Sequence, residues 1–141
     1  MEKLNVCLIN DSFPPAIDGV ANAVTNYADI IARQYGSPTV VTPYYPEADD
    51  SVYPFPVLRY PSVDVTRFVG YRAGMPFSPE LMKKLEDSRF DIIHSHCPTT
   101  STMLARSLRD WIDVPVVFTY HTKFDIDIHR AVKLPVAAQE T

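Results

Sequence analysis

Short apolar runs alternate with segments of helical periodicity along most of the chain. The run Leu4–Ile9 has few polar breaks, which is typical of a strand buried on both faces of a sheet. A helical stripe follows, and Gly36 is predicted to end that helix; the stripe comprises Val20, Val24, Tyr27, Ala28 and Ile31. Residues 39–42 predict a second strand, ended by Pro43. This strand–helix–strand unit predicts a parallel pair of strands.

The remaining pattern predicts three more strands and two more helices. The strands are expected over residues 56–60, 90–94 and 114–120, and the helices over 79–87 and 100–111. Ser78 and Pro79 form a favourable helix start, and the predicted inner face of the last helix comprises Met103, Leu104, Leu108 and Trp111. A long irregular connection rich in proline and aromatic residues is expected over 43–77. The pattern therefore predicts one α/β domain: a Rossmann-like, mostly parallel sheet in strand order 3-2-1-4-5, with helices on both faces.

Composition narrows the class of protein. With 141 residues, 46% of them hydrophobic and 21% charged, the chain is long enough to bury the core of one domain. A net charge of -4 does not favour binding to duplex nucleic acid, which requires a basic face. Two cysteines, Cys7 and Cys97, do not make a disulfide framework. This cysteine usage indicates a reducing, cytoplasmic location. No apolar run approaches the roughly 20 residues of a membrane span, and no signal-peptide pattern is present.

Polar segments follow the first, fourth and fifth predicted strands. These segments are residues 11–19, 94–98 and 119–122. Because the three strands are neighbours in the predicted order, their carboxyl ends should open into one crevice at the topological switch point, where such sheets bind ligands. His94 is expected to end its strand as a packed or hydrogen-bonded side chain, and His96 to reach the ligand. His121 is placed to hydrogen-bond a ligand hydroxyl or stabilise developing charge.

The pair Asp18-Gly19 leads directly into a predicted helix. Glycine lets the backbone approach a ligand closely, and the free amides of a first helical turn favour an anion. A simple turn with a helix cap explains the pair equally well. Neither the G-x-G-x-x-G fingerprint nor a P-loop is present, so a nicotinamide cofactor is not supported.

Three motifs in this order resemble family-4 glycosyltransferases. Ser12-Phe13-Pro14-Pro15 followed by Asp18-Gly19-Val20 is similar to the first loop of the family, and Asp91-Ile92-Ile93-His94-Ser95-His96 resembles its D-x-x-H-x-H strand end. The segment from Pro115 to His121 resembles its fifth strand, which ends on a histidine. The resemblance implies a GT-B architecture of two Rossmann-like domains. It also implies transfer of a sugar from a nucleotide-sugar to an acceptor, with retention of configuration and no bound metal or other cofactor.

The same resemblance implies roles for individual residues. Gly19 and Val20, with Asp18, would lie at the donor phosphates and sugar, although Asp18 stands where the family often has a glycine and adds a carboxylate there. His121 would act as the catalytic histidine on the donor sugar. His96, Tyr120 and Thr122 would line the acceptor side.

The resemblance also implies a domain organisation. The chain, residues 1–141, would be the N-terminal, acceptor-side domain, matched over about 1–122 and ending in an incomplete tail at 123–141. The donor-binding half, with its Arg/Lys pair and E-x(7)-E motif, is not in this sequence, so little or no transferase activity is expected of the chain alone.

Tyr120-His121-Thr122 followed by Phe124 resembles the branch that glycosylates diacylglycerol or phosphatidylinositol-type lipids. A lipid acceptor implies peripheral contact with the inner face of the cell membrane. The candidate basic residues for such a surface are Arg59, Arg67, Arg72, Lys83, Lys84 and Arg89, diluted by Glu80, Glu86 and Asp87.

Three alternatives stay open from the residues themselves. His94 and His96, beside Cys97, could hold the zinc ion of a hydrolase. A signalling receiver domain fits the length and Asp11, although the third predicted strand supplies no phosphoacceptor aspartate. A non-catalytic sugar- or lipid-binding module would have the same fold.

Overall fold

A five-stranded parallel sheet forms the centre of the computed structural model, which describes residues 3–16, 18–69, 72–76, 78–97 and 100–119. In these residues the strands are β1 (Leu4–Ile9), β2 (Gly36–Pro43), β3 (Val57–Tyr60), β4 (Ser62–Asp64), β5 (Arg72–Gly74), β6 (Ile92–Ser95) and β7 (Val116–Phe118). The helices are α1 (Gly19–Ile30), α2 (Thr66–Val69), α3 (Pro79–Asp87) and α4 (Thr100–Ile112). The sheet order β3-β2-β1-β6-β7 confirms the predicted order.

The position of β3 excludes the receiver-domain alternative. β3 pairs in parallel with β2, with Val40 opposite Val57, and so lies at the edge of the sheet. Receiver domains have the flavodoxin-like order 2-1-3-4-5, in which the third strand lies beside the first. Here β6 occupies that place, with Cys7 opposite Ile93.

The side chains of β1 pack against helices on both faces of the sheet, as predicted. Cys7 and Ile9 face a buried cluster on the α3 and α4 side; its helical members are Leu81, Leu85, Leu104, Ala105 and Leu108. Val6 and Leu8 face the other side, where Val24 and Ala28 of α1 complete the core. A strand covered on both faces needs consecutive apolar residues where it is buried, which explains the run over residues 6–9.

Helix α1 begins at a side-chain cap and ends at a glycine. The Asp18 carboxylate accepts a hydrogen bond from the Ala21 amide at 2.7 Å. A π-helical turn, Ile31–Tyr35, continues the helix to Gly36, where the sequence predicted its end. Gly36 pairs with Leu4, and a Cβ at Gly36 would collide with the Leu4 backbone, so this approach of β1 requires glycine.

Helix α4 differs from its predicted orientation. Its buried residues are Ser101, Leu104, Ala105 and Leu108, whereas Met103 and Trp111 are 55% and 64% exposed. The prediction that Met103 and Trp111 lie on the inner face is therefore wrong. The Trp111 indole lies at the surface, where its Nε1 donates a hydrogen bond to the Glu86 carboxylate at 2.8 Å and joins α4 to α3.

The connection expected to be irregular contains a small second sheet. β4 and β5 pair antiparallel, with Ser62 opposite Gly74, and α2 lies between them in the chain. The Met75 amide bonds to the Pro61 carbonyl at 2.7 Å, which attaches this hairpin just beyond the end of β3.

Within the described ranges, the helices are too short or too polar to cross a bilayer.

Candidate functional site

Main-chain hydrogen bonds join the segments that follow β1, β6 and β7. The His96 amide donates to the Ile9 carbonyl at 3.0 Å, and the Thr119 amide donates to the Ser95 carbonyl at 3.1 Å. The carboxyl ends of the three strands therefore meet at one edge of the sheet. The predicted meeting of the ends of the first, fourth and fifth strands is confirmed for the described residues.

Two imidazoles and a phenol form an aromatic cluster beside this edge. The rings of His94 and His96 are 3.9 Å apart between centroids, and Tyr27 of α1 lies 5.7 Å from His94 and 5.3 Å from His96. Residues two apart in an extended strand point to the same face, so His94 and His96 lie on the α1 side of β6 and both rings lie near Tyr27. Tyr27, predicted to lie in the inner stripe of α1, is 40% exposed and contacts the cluster instead.

The two histidines differ in their surroundings. His94 Nε2 shares a close hydrogen bond with the Thr119 hydroxyl, which links β6 to the residue after β7. His94 is therefore a hydrogen-bonded side chain at its strand end, as predicted. His96 is fully buried beside Tyr27 and His94, and its contact with an acceptor stays a prediction.

Asp11 connects the loop after β1 to the start of α4. Its Oδ1 accepts hydrogen bonds from the Ser101 amide at 2.9 Å and the Ser101 hydroxyl at 2.7 Å. Tyr60 lies nearby; burial, followed by the Asp11 charge, raises the pKa of its hydroxyl above the ordinary range, so the phenol stays neutral. The contact between Asp11 and Ser101 was not predicted from the sequence. The polar pair Asn10-Asp11 directly after a buried strand is a signal, but it does not identify Ser101.

The first residue of α1, Gly19, has open space on its Cα side. Asp18 binds the Ala21 amide through its carboxylate, which supports the helix-cap interpretation of this residue. Gly19 is exposed, and a Cβ there would meet no atom within 4 Å. The packing of the described chain therefore does not require glycine at this position. The first intrahelical bond runs from the Asn22 amide to the Asp18 carbonyl. The amides of Gly19 and Val20 come before that donor and are oriented as helix N-terminal donors are.

Two of the arginines expected on a basic surface are instead largely buried and bind other residues of the chain. The Arg59 side chain is 8% exposed and pairs with Asp50 at 2.8 Å. The Arg72 side chain is 15% exposed and donates to the Ser62 hydroxyl at 2.8 Å. The expectation of a membrane surface that includes Arg59 and Arg72 is therefore wrong. Arg67, Lys83, Lys84 and Arg89 are exposed.

The zinc alternative lacks ligands in the part of the chain that the structure describes. No three histidine, cysteine, aspartate or glutamate side chains there are close enough together to hold a metal ion. A structural or catalytic zinc site needs at least three protein ligands. His94 and His96 thus have no third ligand among these residues.

Three of the predicted site residues lie outside the described residues. They are the proposed catalytic His121 and the proposed acceptor-side residues Tyr120 and Thr122. The tail expected over 123–141 also lies there. Their roles stay predictions.

Comparison with known proteins agrees with the resemblance to family-4 glycosyltransferases. The sequence model described as "Glycosyltransferase Family 4" matches residues 17–138, which is most of the chain. A protein of Streptococcus pneumoniae (strain ATCC BAA-255 / R6), named "Alpha-monoglucosyldiacylglycerol synthase", is 22% identical over 131 residues. That match covers 92% of this chain but 29% of the relative, so the chain spans less than a third of that protein's length.

Proposed function

The chain belongs to glycosyltransferase family 4, and on that premise we propose that it is the N-terminal, acceptor-side domain of an enzyme that transfers a sugar from a nucleotide-sugar to an acceptor. The transfer retains anomeric configuration and uses no metal ion or other cofactor. The partner domain of a GT-B architecture would bind most of the donor. Activity therefore belongs to the full-length protein, and the chain alone has little or none.

One observation carries this proposal beyond family membership. The open face of Gly19 and the ends of β1, β6 and β7 lie along the carboxyl edge of one parallel sheet. Ligands of such sheets bind at this edge, near the point where the strand order reverses between β1 and β6. An exposed glycine at the start of a helix, with first-turn amides at Gly19 and Val20, suits the phosphates of a nucleotide-sugar.

The proposed roles are based on this arrangement for the described residues and on the family resemblance for Tyr120, His121 and Thr122. Gly19 and Val20 approach the donor through their backbone, while Asp18 holds the helix start in place through its bond to Ala21. His121 contacts the donor sugar and stabilises the charge that develops in the transition state. His96, Tyr120 and Thr122 line the acceptor side, and Tyr27 supports His96 from the neighbouring helix.

We further propose that the acceptor is a lipid. The name of the pneumococcal relative refers to a glucosylated diacylglycerol. Phe68 of α2 is 82% exposed beside the exposed Arg67, and the hairpin that carries both residues is attached just beyond the end of β3. An exposed aromatic ring next to a cation suits the interface of an anionic membrane. We propose peripheral contact with the inner face of the cell membrane through this hairpin.

Nucleotide release by the full-length protein tests the proposed reaction. A panel of nucleotide-sugars would be supplied with diacylglycerol, in the presence and absence of EDTA. We expect acceptor-dependent release that persists in EDTA and falls by about 100-fold or more in His121→Ala. Absence of release with every donor would favour the non-catalytic binding module. Release abolished by EDTA would count against a metal-free transferase.

Substitution of Gly19 tests the proposed approach of the donor. Because a Cβ at Gly19 meets no atom within 4 Å, Gly19→Ala should leave the free energy of unfolding within about 0.5 kcal/mol of the wild type. A displaced donor should nevertheless lower kcat/KM by about ten- to a hundredfold. Gly36→Ala is the control, since its Cβ would meet the Leu4 backbone and should lower stability. Wild-type kcat/KM in stable Gly19→Ala would refute the donor contact.

A further inference from the structure

Arg59 joins three segments of the chain through one buried guanidinium. Its Nη2 donates to the Pro14 carbonyl at 2.7 Å in the loop after β1, and its Nη1 donates to the Pro43 carbonyl at 2.9 Å at the end of β2. Its Nε and Nη2 bind the two carboxylate oxygens of Asp50, each at 2.8 Å. The planar guanidinium can make these bonds together because its donors are arranged in a fixed fork.

The same side chain also packs on the loop after β1. The guanidinium lies 5.8 Å from the centroid of the Phe13 ring, and Phe13 is fully buried. Tyr53 and Phe55 hold the other sides of that ring, at 5.2 and 6.5 Å between centroids. The loop is thus anchored at Phe13 by packing and at Pro14 by a charge-assisted hydrogen bond.

The anchored segment leads directly to the proposed donor site. A turn, in which the Ala16 amide bonds to the Phe13 carbonyl at 3.0 Å, follows Phe13, and Asp18 and Gly19 begin α1 shortly afterwards. Three residues lie between Pro14 and Asp18, so a displacement of Pro14 reaches the start of α1 over a short length of chain. Arg59 itself lies near the end of β3, the outermost strand of the sheet. It is distant from Gly19 in the sequence.

We infer that Arg59 is a positioning residue for the donor site: it fixes the first loop so that the backbone at Gly19 and Val20 is held where the donor binds. This inference rests on the proposed transferase function. It assigns Arg59 an effect on donor affinity and no contact with the donor or acceptor. A loss of positioning should therefore affect the KM for the donor and leave the KM for the acceptor unchanged.

The test compares Arg59→Lys with wild type in the full-length protein. Lysine keeps the positive charge but cannot bridge Pro14, Pro43 and Asp50 together. We expect the KM for the nucleotide-sugar to rise by about tenfold or more, with the KM for the acceptor unchanged. Arg33→Lys is the matched control, because the Arg33 side chain is 71% exposed and, among the residues that the structure describes, pairs with Asp29 four positions earlier. Its kinetics should equal the wild type.

Hydrogen exchange of residues 10–18 supplies a readout that is independent of transfer. In Arg59→Lys these amides should exchange faster while the amides of β1 and β2 keep their protection. A lower melting temperature with both KM values unchanged, or unchanged exchange in the loop, would overturn the inference. If Arg59→Lys does not fold, Asp50→Asn weakens the same clamp and must give the same pattern. If wild type transfers no sugar, the proposed function fails and loop exchange alone decides whether Arg59 fixes the loop.

Discussion

Cys7 and Cys97 show how position along a strand decides the chemistry of a single residue. Cys7 is at the centre of β1 and is fully buried between sheet and helices, and burial raises the pKa of its thiol far above the ordinary range. Cys97 lies two residues beyond the end of β6 and is only partly buried. Neither is disulfide-bonded. The same residue type is thus part of the core in one place and part of the site edge in the other.

Thiol labelling checks this difference. With a maleimide at pH 7.5, we expect one cysteine of the native chain, Cys97, to react and Cys7 to react only after unfolding, because the thiolate is the reactive form. Mass spectrometry of peptides identifies the labelled residue. Cys97→Ser should show no labelling until denaturant is added. Rapid native labelling of Cys7 would contradict its placement in the core.

At the scale of single elements, α4 shows how the face that packs is chosen. Ser101, Leu104, Ala105 and Leu108 recur at intervals of three and four residues and form a row against the sheet. Met103 is outside that row and Trp111 lies at its rim, where Glu86 satisfies the indole. Met103 and Trp111 therefore remain exposed although both are large and apolar.

Truncation of α4 at two positions tests this orientation. Leu108→Ala should lower the free energy of unfolding by about 2–5 kcal/mol, because it leaves a cavity in a fully buried site. Met103→Ala is the control and should change the free energy of unfolding by less than about 0.5 kcal/mol, because Met103 is exposed. Urea unfolding followed by circular dichroism measures both. Equal losses for the two variants would restore the orientation that the sequence suggested.

At the scale of the whole molecule, the carboxyl and amino ends of the parallel strands carry different surfaces, here called the carboxyl edge and the opposite edge. The carboxyl edge carries the proposed site and the hairpin with Phe68, which is 82% exposed. The opposite edge carries Tyr35, which is 52% exposed and ends the helical segment before β2 begins. A protein that takes a lipid from a membrane should approach it with its site edge.

Vesicle binding distinguishes the two edges. For the full-length protein, Phe68→Ser should weaken the partition onto vesicles of anionic phospholipid by about tenfold, because a buried aromatic ring contributes about 1.5 kcal/mol or more. Tyr35→Ser removes an exposed ring from the opposite edge and should leave the partition unchanged. Co-sedimentation measures both. Equal effects would argue against membrane contact through the hairpin.

Local patterns were enough to predict most of the architecture. The bounds of β1 and α3, the end of the helical segment at Gly36 and the order of the five parallel strands were all confirmed. The element bounds depend on residues close together in the chain: apolar runs, a cap at Ser78 and a glycine after the helical stripe. The meeting of three strand ends followed from the strand order, because parallel strands place their carboxyl ends at one edge.

Long-range contacts were decided by the tertiary structure alone. Asp11 binds Ser101 across 90 positions, and Arg59 reaches Pro14 across 45. No periodicity connects residues this far apart, so the sequence placed Arg59 on a surface and left Asp11 without a role. The contact of Tyr27 with both histidines has the same origin, since it depends on where α1 crosses β6. Element identity is a local property of the chain, whereas the partners of its polar side chains depend on how the elements pack.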